Sequence, residues 1–139
     1  MNRTQLQRLA DERLADAHCL AGVGRWSAAY YLGGYAVECA LKACILAFVE
    51  RTGVIFTDKK FGERCWTHSV EDLVKLADLE VTRGTDIAGS ANFGKNWLIV
   101  KDWTEISRYQ MKSQSEAEQL LSAIDDPTDG VLPWIGRHW

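Results

Sequence analysis

The chain has 139 residues, with 16 Lys and Arg against 19 Asp and Glu and a net charge of −3. That length fits one domain, residues 1–139, with a sizeable core, and is short for two. The acidic balance excludes a global basic field of the kind that draws nucleic acid non-specifically, so any RNA or DNA contact is local.

Leu6, Leu9, Ala10, Leu14, Ala17, Leu20 and Ala21 recur at helical spacing, with Arg8, Asp11, Glu12 and Asp16 between them. This pattern predicts a first amphipathic helix. Charges are scattered through this segment and it has no apolar run, unlike a secretory signal. Gly22 and Gly24 then punctuate the chain, and so short a turn predicts that the next helix packs antiparallel to the first.

That next helix, Arg25 to Arg51, organises the rest. At about 100° per residue, Trp26, Ala29, Gly33, Ala36, Ala40, Ala43, Cys44 and Ala47 share one small, apolar side suited to close packing. Ser27, Tyr31, Gly34, Tyr35, Glu38 and Lys42 share another. Ala28–Val49 is long enough to span a bilayer. Glu38 and Lys42 at its centre argue against that, because charges within a membrane are costly. The pair at i,i+4 adds only about 0.2–0.5 kcal/mol when exposed. Together with two phenols it therefore predicts a buried polar network or a surface that meets a ligand or partner.

Gly53 is placed to end the central helix. A loop to about Thr67 carries Phe56, Phe61 and Trp66, expected either to clamp it onto the bundle or to serve a function. Ser69 and Asp72 predict an N-cap for a short third helix ending near Leu79. VTRGTDIAGS reads as a polar, glycine-bearing connection. Phe93, Trp97, Val100 and Thr104 predict a fourth helix running through Ile106, with Ser107–Gln110 as the turn leaving it. Ser113 and Glu116 form a capping box for a fifth helix through Ala117, Leu120, Leu121 and Ile124. Asp126 before Pro127 reads as an N-cap for a short terminal helix, whose Trp134, Ile135 and Trp139 are expected to cover one end of the bundle. No alternating strand pattern appears.

The four cysteines, 19, 39, 44 and 65, show no CxxC spacing and read as reduced thiols of a cytoplasmic protein. Cys65 with His68, and His18 with Cys19, lack the paired, regular spacing of structural zinc; no metal or cofactor is expected. No GxSxG elbow or phosphate-binding glycine loop is present. Arg64 and His68 are the best acid–base candidates for phosphodiester chemistry, since imidazole moves protons and guanidinium holds phosphate charge. The plainer expectation for His68 is a helix-start residue touching its neighbour's backbone. Arg108, beside Tyr109, is placed to reach Glu38 from the end of the fourth helix, or else to lie on the surface. Lys95, Lys101, Arg108 and Lys112 form a modestly basic run of the kind usual on a solvated face.

The segment AYYLGGYAVECALKACI, with Tyr35, Ala36, Glu38, Leu41 and Lys42 in register, resembles the second helix of the HEPN family of small helical domains. HSVEDLVKL, a tryptophan-bearing fourth helix and a terminal SRY extend the resemblance more weakly. It implies an all-α fold: an up-and-down four-helix bundle core with one or two additional C-terminal helices, similar to nucleotidyltransferase substrate-binding subunits and commonly homodimeric. It also implies toxin–antitoxin, defence or RNA-processing settings, with RNA, a nucleotide or a nucleotidyltransferase-type protein as partner. Many members are metal-independent endoribonucleases with an Arg, four to six residues and a His in a late helix. Here Arg64 and His68 are separated by three residues and lie early, Arg137 and His138 are adjacent, and no His follows Arg108 at that distance. The resemblance therefore favours a non-catalytic binding or accessory domain, with a divergent endoribonuclease or a pure dimerisation scaffold as alternatives. Tyr31, Tyr35, Glu38, Lys42, Arg108 and Tyr109 are its expected binding or network residues.

Overall fold

A computed structural model describes the whole chain, Met1–Trp139. It is all-helical: α1 (Arg3–Gly22), α2 (Trp26–Thr52), α3 (Phe61–Arg64), α4 (Val70–Leu76), α5 (Glu80–Gly89), α6 (Ala91–Lys101), α7 (Gln114–Asp125) and α8 (Val131–Gly136), with 3-10 turns at Val54–Phe56 and Glu105–Tyr109. Asn2 opens α1 with a capping box, its side chain accepting from the Gln5 N–H while Gln5 accepts from the Asn2 N–H. Two otherwise orphaned donors are satisfied.

The α1–α2 hairpin is antiparallel, as its short turn predicts. An Arg3–Glu50 ion pair of 3.0 Å joins the start of one helix to the end of the other. Ala10, Ala17, Ala29, Ala36 and Ala40 are fully buried, and such small side chains let helix backbones approach closely. Gly53 ends α2 in the left-handed region at φ 63°, its N–H donating to the Val49 carbonyl.

Helix α2 packs against α1, α4, α7, α8 and the 105–109 turn. It is long and apolar enough to cross a membrane, but 61% of its apolar window is buried inside this fold. At the start of α7, the Lys112 N–H donates to Ser27 Oγ at 2.8 Å. Farther along, Gly33 faces Leu121 and Ile124. The two helices therefore run in the same direction. Helix α6 runs opposite to α7, because its N-cap Ser90 bonds to Asp129, just beyond the end of α7, and Asn96 at its midpoint bonds to the Asp129 carbonyl. Phe93, Trp97 and Trp134 interlock beside them with ring centroids 5.3–6.1 Å apart. The Ser69 N-cap and the Ser113–Glu116 capping box form as predicted.

Three expectations need correction. VTRGTDIAGS is not a connection but most of α5. Two tertiary anchors hold it as a helix: Arg83 Nη1 donates to Glu71 at 2.5 Å, and Asp86 accepts from Trp134 Nε1 at 2.8 Å. The fourth helix predicted through Ile106 stops at Lys101, and Trp103 turns inward to become 1% exposed. Asp126 does not cap the terminal helix. Its side chain accepts from the Thr128 and Asp129 N–H groups in a turn, and α8 begins after Gly130. The same helix does cover the core as expected, with Trp134 and Ile135 buried.

Glu71 ties α4, α5 and α6 together, accepting from Arg83 and from Trp97 Nε1 at 3.0 Å, with the Arg83 guanidinium over the Trp97 ring. Partial burial pushes its carboxyl up, but the Arg83 and Trp97 hydrogen bonds outweigh that and hold it below its ordinary value. A depressed folded-state value means that the stabilisation is present above the unfolded carboxyl value and lost as pH falls through the folded one. Glu71→Gln is therefore expected to cost about 1–3 kcal/mol at pH 7. In urea denaturation the deficit should shrink towards zero as pH is lowered through that window. A deficit independent of pH would exclude the ion pair as its cause.

Candidate functional site

The polar side of α2 forms a stripe with two ends. At its inner end Glu38 is only 2% exposed. Lys42 Nζ donates to its Oε1 at 2.8 Å, one turn along the same helix. His68, 30 residues away and just ahead of α4, brings Nδ1 to 3.0 and 3.1 Å from the two Glu38 oxygens. A carboxylate only accepts, so Nδ1 carries the hydrogen and the other ring nitrogen, Nε2, remains available. Burying a carboxylate without partners is expensive. Here Lys42 supplies the opposite charge and a hydrogen bond, and His68 a further hydrogen-bond contact. The His68 side chain stays 48% exposed, so one edge of this cluster is open.

The expected third member does not join it. Arg108 reaches away from Glu38 and lies over the Tyr109 ring, 4.9 Å from its centroid. A hydrogen bond that Arg108 donates to the Tyr109 oxygen, and a weaker one to Tyr31, raise the Arg108 value. The physical reason is the early end of α6: residues 105–109 form a 3-10 turn against α2, with Trp103 rather than Arg108 pointing inward. Arg64 is not drawn into the cluster either. It pairs with Asp58 at 2.6 Å and holds that carboxyl below its usual range. His68 does not simply touch its neighbour's backbone, as the plainer expectation had it, but spans to α2.

The outer end of the stripe is aromatic. Tyr31 and Tyr35 are parallel with centroids 6.3 Å apart, and Tyr31 also leans on Trp103 at 6.0 Å. Desolvation, reinforced by Cys39 and Glu38, pushes the Tyr35 phenol up to about 12. It stays a neutral donor across the physiological range. Beneath this end Gly34 admits the Trp103 indole against the helix backbone: a Cβ at Gly34 would lie 2.2 Å from ring atoms. The glycine pair thus permits close approach, as its position within a helical pattern suggests.

Beside Glu38 and Lys42 opens a cleft of about 530 Å3, with Leu6, Ile45, Val49 and Phe61 among its apolar walls. In the loop leading to His68, Phe61 is buried and clamps the segment, whereas Phe56 and Trp66 are 89% and 82% exposed. Of the residues weighed as metal ligands, His18 pairs with Asp125 at 2.6 Å, and Cys65 Sγ donates to the Phe61 carbonyl. No three His, Cys, Asp or Glu side chains converge as a metal ion requires. Nothing local in the sequence signalled the Glu38–His68 contact, which joins residues far apart in the chain. Compared with protein families, with curated proteins and with solved structures, the chain matches none.

Proposed function

We propose that the chain is a HEPN-like helical binding or accessory domain of the cytoplasm, acting as a homodimer. Helices α1, α2, α6 and α7 would form its up-and-down four-helix core, with the remaining helices as additions. The antiparallel α1–α2 and α6–α7 pairs and the shared direction of α2 and α7 support that arrangement. The partner is RNA, a nucleotide or a nucleotidyltransferase-type protein, in a toxin–antitoxin, defence or RNA-processing setting.

The observation that carries this reading is the engagement of Glu38 by Lys42 and His68. The central charges of the family-like motif serve each other. Tyr31, Tyr109 and Arg108 at the outer end remain available for a base or phosphate, which aromatic rings and guanidinium groups hold well. The dimer would present two such stripes.

The Glu38–His68 contact also favours one second reading, a divergent metal-independent endoribonuclease. With Nδ1 fixed by a buried carboxylate, His68 Nε2 can accept the proton of a 2′-hydroxyl as that oxygen attacks the adjacent phosphorus; the P–O bond to the next nucleotide breaks, its 5′-oxygen takes a proton from water, and a 2′,3′-cyclic phosphate is left. The Arg64–Asp58 pair counts against it, since the guanidinium that would steady the phosphate is engaged elsewhere.

Incubating the purified protein with mixed RNA in chelator separates the two. The accessory reading expects intact RNA, and binding weakened roughly 10-fold by Tyr109→Ala through lost stacking. RNA cut by the wild type and spared by His68→Ala would establish the nuclease instead. A dimer that neither binds nor cuts RNA would remove RNA as the partner and leave a nucleotide, a protein partner or the scaffold.

A further inference from the structure

The geometry points to the face around the 530 Å3 cleft as the contact between two copies of this chain, with Trp66 of each copy seated in the cleft of the other. Met1, Ile55 and Trp66 all line this cleft, yet they are 79%, 47% and 82% exposed. An indole standing almost free beside an apolar cavity is a knob and a hole on one surface. That combination is self-complementary: under a two-fold axis each copy gives its knob and receives the other's. A surface built for a different protein needs only one of the two.

Size and charge agree with this occupant. Taking about 150–250 Å2 for an aromatic side chain, Trp66 with Met1, Ile55 and the partly open walls presents on the order of 500 Å2 of apolar surface, much of the roughly 800 Å2 per partner in a standard interface. Two opposite-charge pairs lie at the cleft. Arg3 and Glu50 pair at 3.0 Å next to the end where Met1 and Val49 meet, and Lys42 balances Glu38 on the inner wall. Apart from the Met1 α-ammonium, which also lines the cleft, these charges are balanced within the face, and the paired rim can exchange partners across the axis.

Seated there, the partner's Trp66 lies against the Glu38–Lys42 wall, with its ring face available to the Lys42 ammonium. Sequence position links the two functions of the segment, because His68, which ties to Glu38, is two residues from the inserted indole.

This assignment rests on the homodimer proposed above, and sedimentation of the full chain tells the two apart. The wild type is expected to be a dimer at micromolar concentration. Trp66→Asp is expected to weaken association at least about 30-fold, as loss of a buried hot-spot residue does. Because Trp66 is exposed in the single chain, circular dichroism of that variant should match the wild type. Val81→Asp, on an equally exposed apolar residue of α5, should remain dimeric. A monomeric wild type at high concentration would overturn both the dimer and this face. A dimeric wild type with an equally dimeric Trp66→Asp, or with a monomeric Val81→Asp, would overturn this face alone.

Discussion

Gly34→Ala is expected to lose about 3 kcal/mol or more of folding stability, at the upper end of what overpacking costs. The added methyl would stand 2.2 Å from three atoms of the Trp103 ring. Trp103 is 1% exposed and packed at a tilt against Tyr31, so its indole has nowhere to retreat without opening the core. The neighbouring Gly33→Ala is the matched control. There the nearest atom is Leu121 Cδ2 at 2.8 Å, the tip of a flexible side chain. A rotamer change relieves it, and replacing a mid-helix glycine returns about 0.5–1 kcal/mol. Urea denaturation of the two variants should therefore give a large loss for one and a change within about 1 kcal/mol for the other. Equal losses would mean that the helix pairings, and not the Trp103 contact, set the cost.

The second large effect is a coupling. Lys42→Met and His68→Ala should each cost about 1–2 kcal/mol alone, because Glu38 keeps its other donor. Together they strand a side chain that is only 3% exposed. The double variant is then expected to lose about 4–5 kcal/mol, as when a buried ion pair is broken from one side. A coupling of about 1–3 kcal/mol beyond the sum is the quantity to measure by a double-mutant cycle. Strict additivity would show that Lys42 and His68 do not share Glu38 in solution.

What the sequence made legible was local. The length and periodicity of α2, the short turn to α1, the Ser69 cap and the Ser113–Glu116 box depend on residues a few positions apart. Helix α5 was hidden for the opposite reason. Val81, Thr82, Thr85 and Ile87 are β-branched and Gly84 and Gly89 are weak helix formers, so propensity argued for a loop. The Arg83–Glu71 and Trp134–Asp86 contacts that overrule it span 12 and 48 residues. Within the site, the Glu38–Lys42 pair at i,i+4 was readable, but its third member was not. Arg108 was the candidate read for that place and His68 was not, because the contact joins residues 30 apart and the early end of α6, with Trp103 turned inward, leaves Arg108 on the Tyr109 ring.

The Gly34–Trp103 contact also fixes a length. With the indole resting on the helix backbone, residues 102–109 can neither slide along α2 nor rotate about it, so the Arg108 end and the Glu38 end keep a constant separation. Tyr31 and Lys42 are eleven positions apart, which is about 16 Å along a helix axis at 1.5 Å per residue. On the proposed function, the stripe would act as a rigid ruler: a mononucleotide would reach one end of it, and only a longer, extended molecule would touch both.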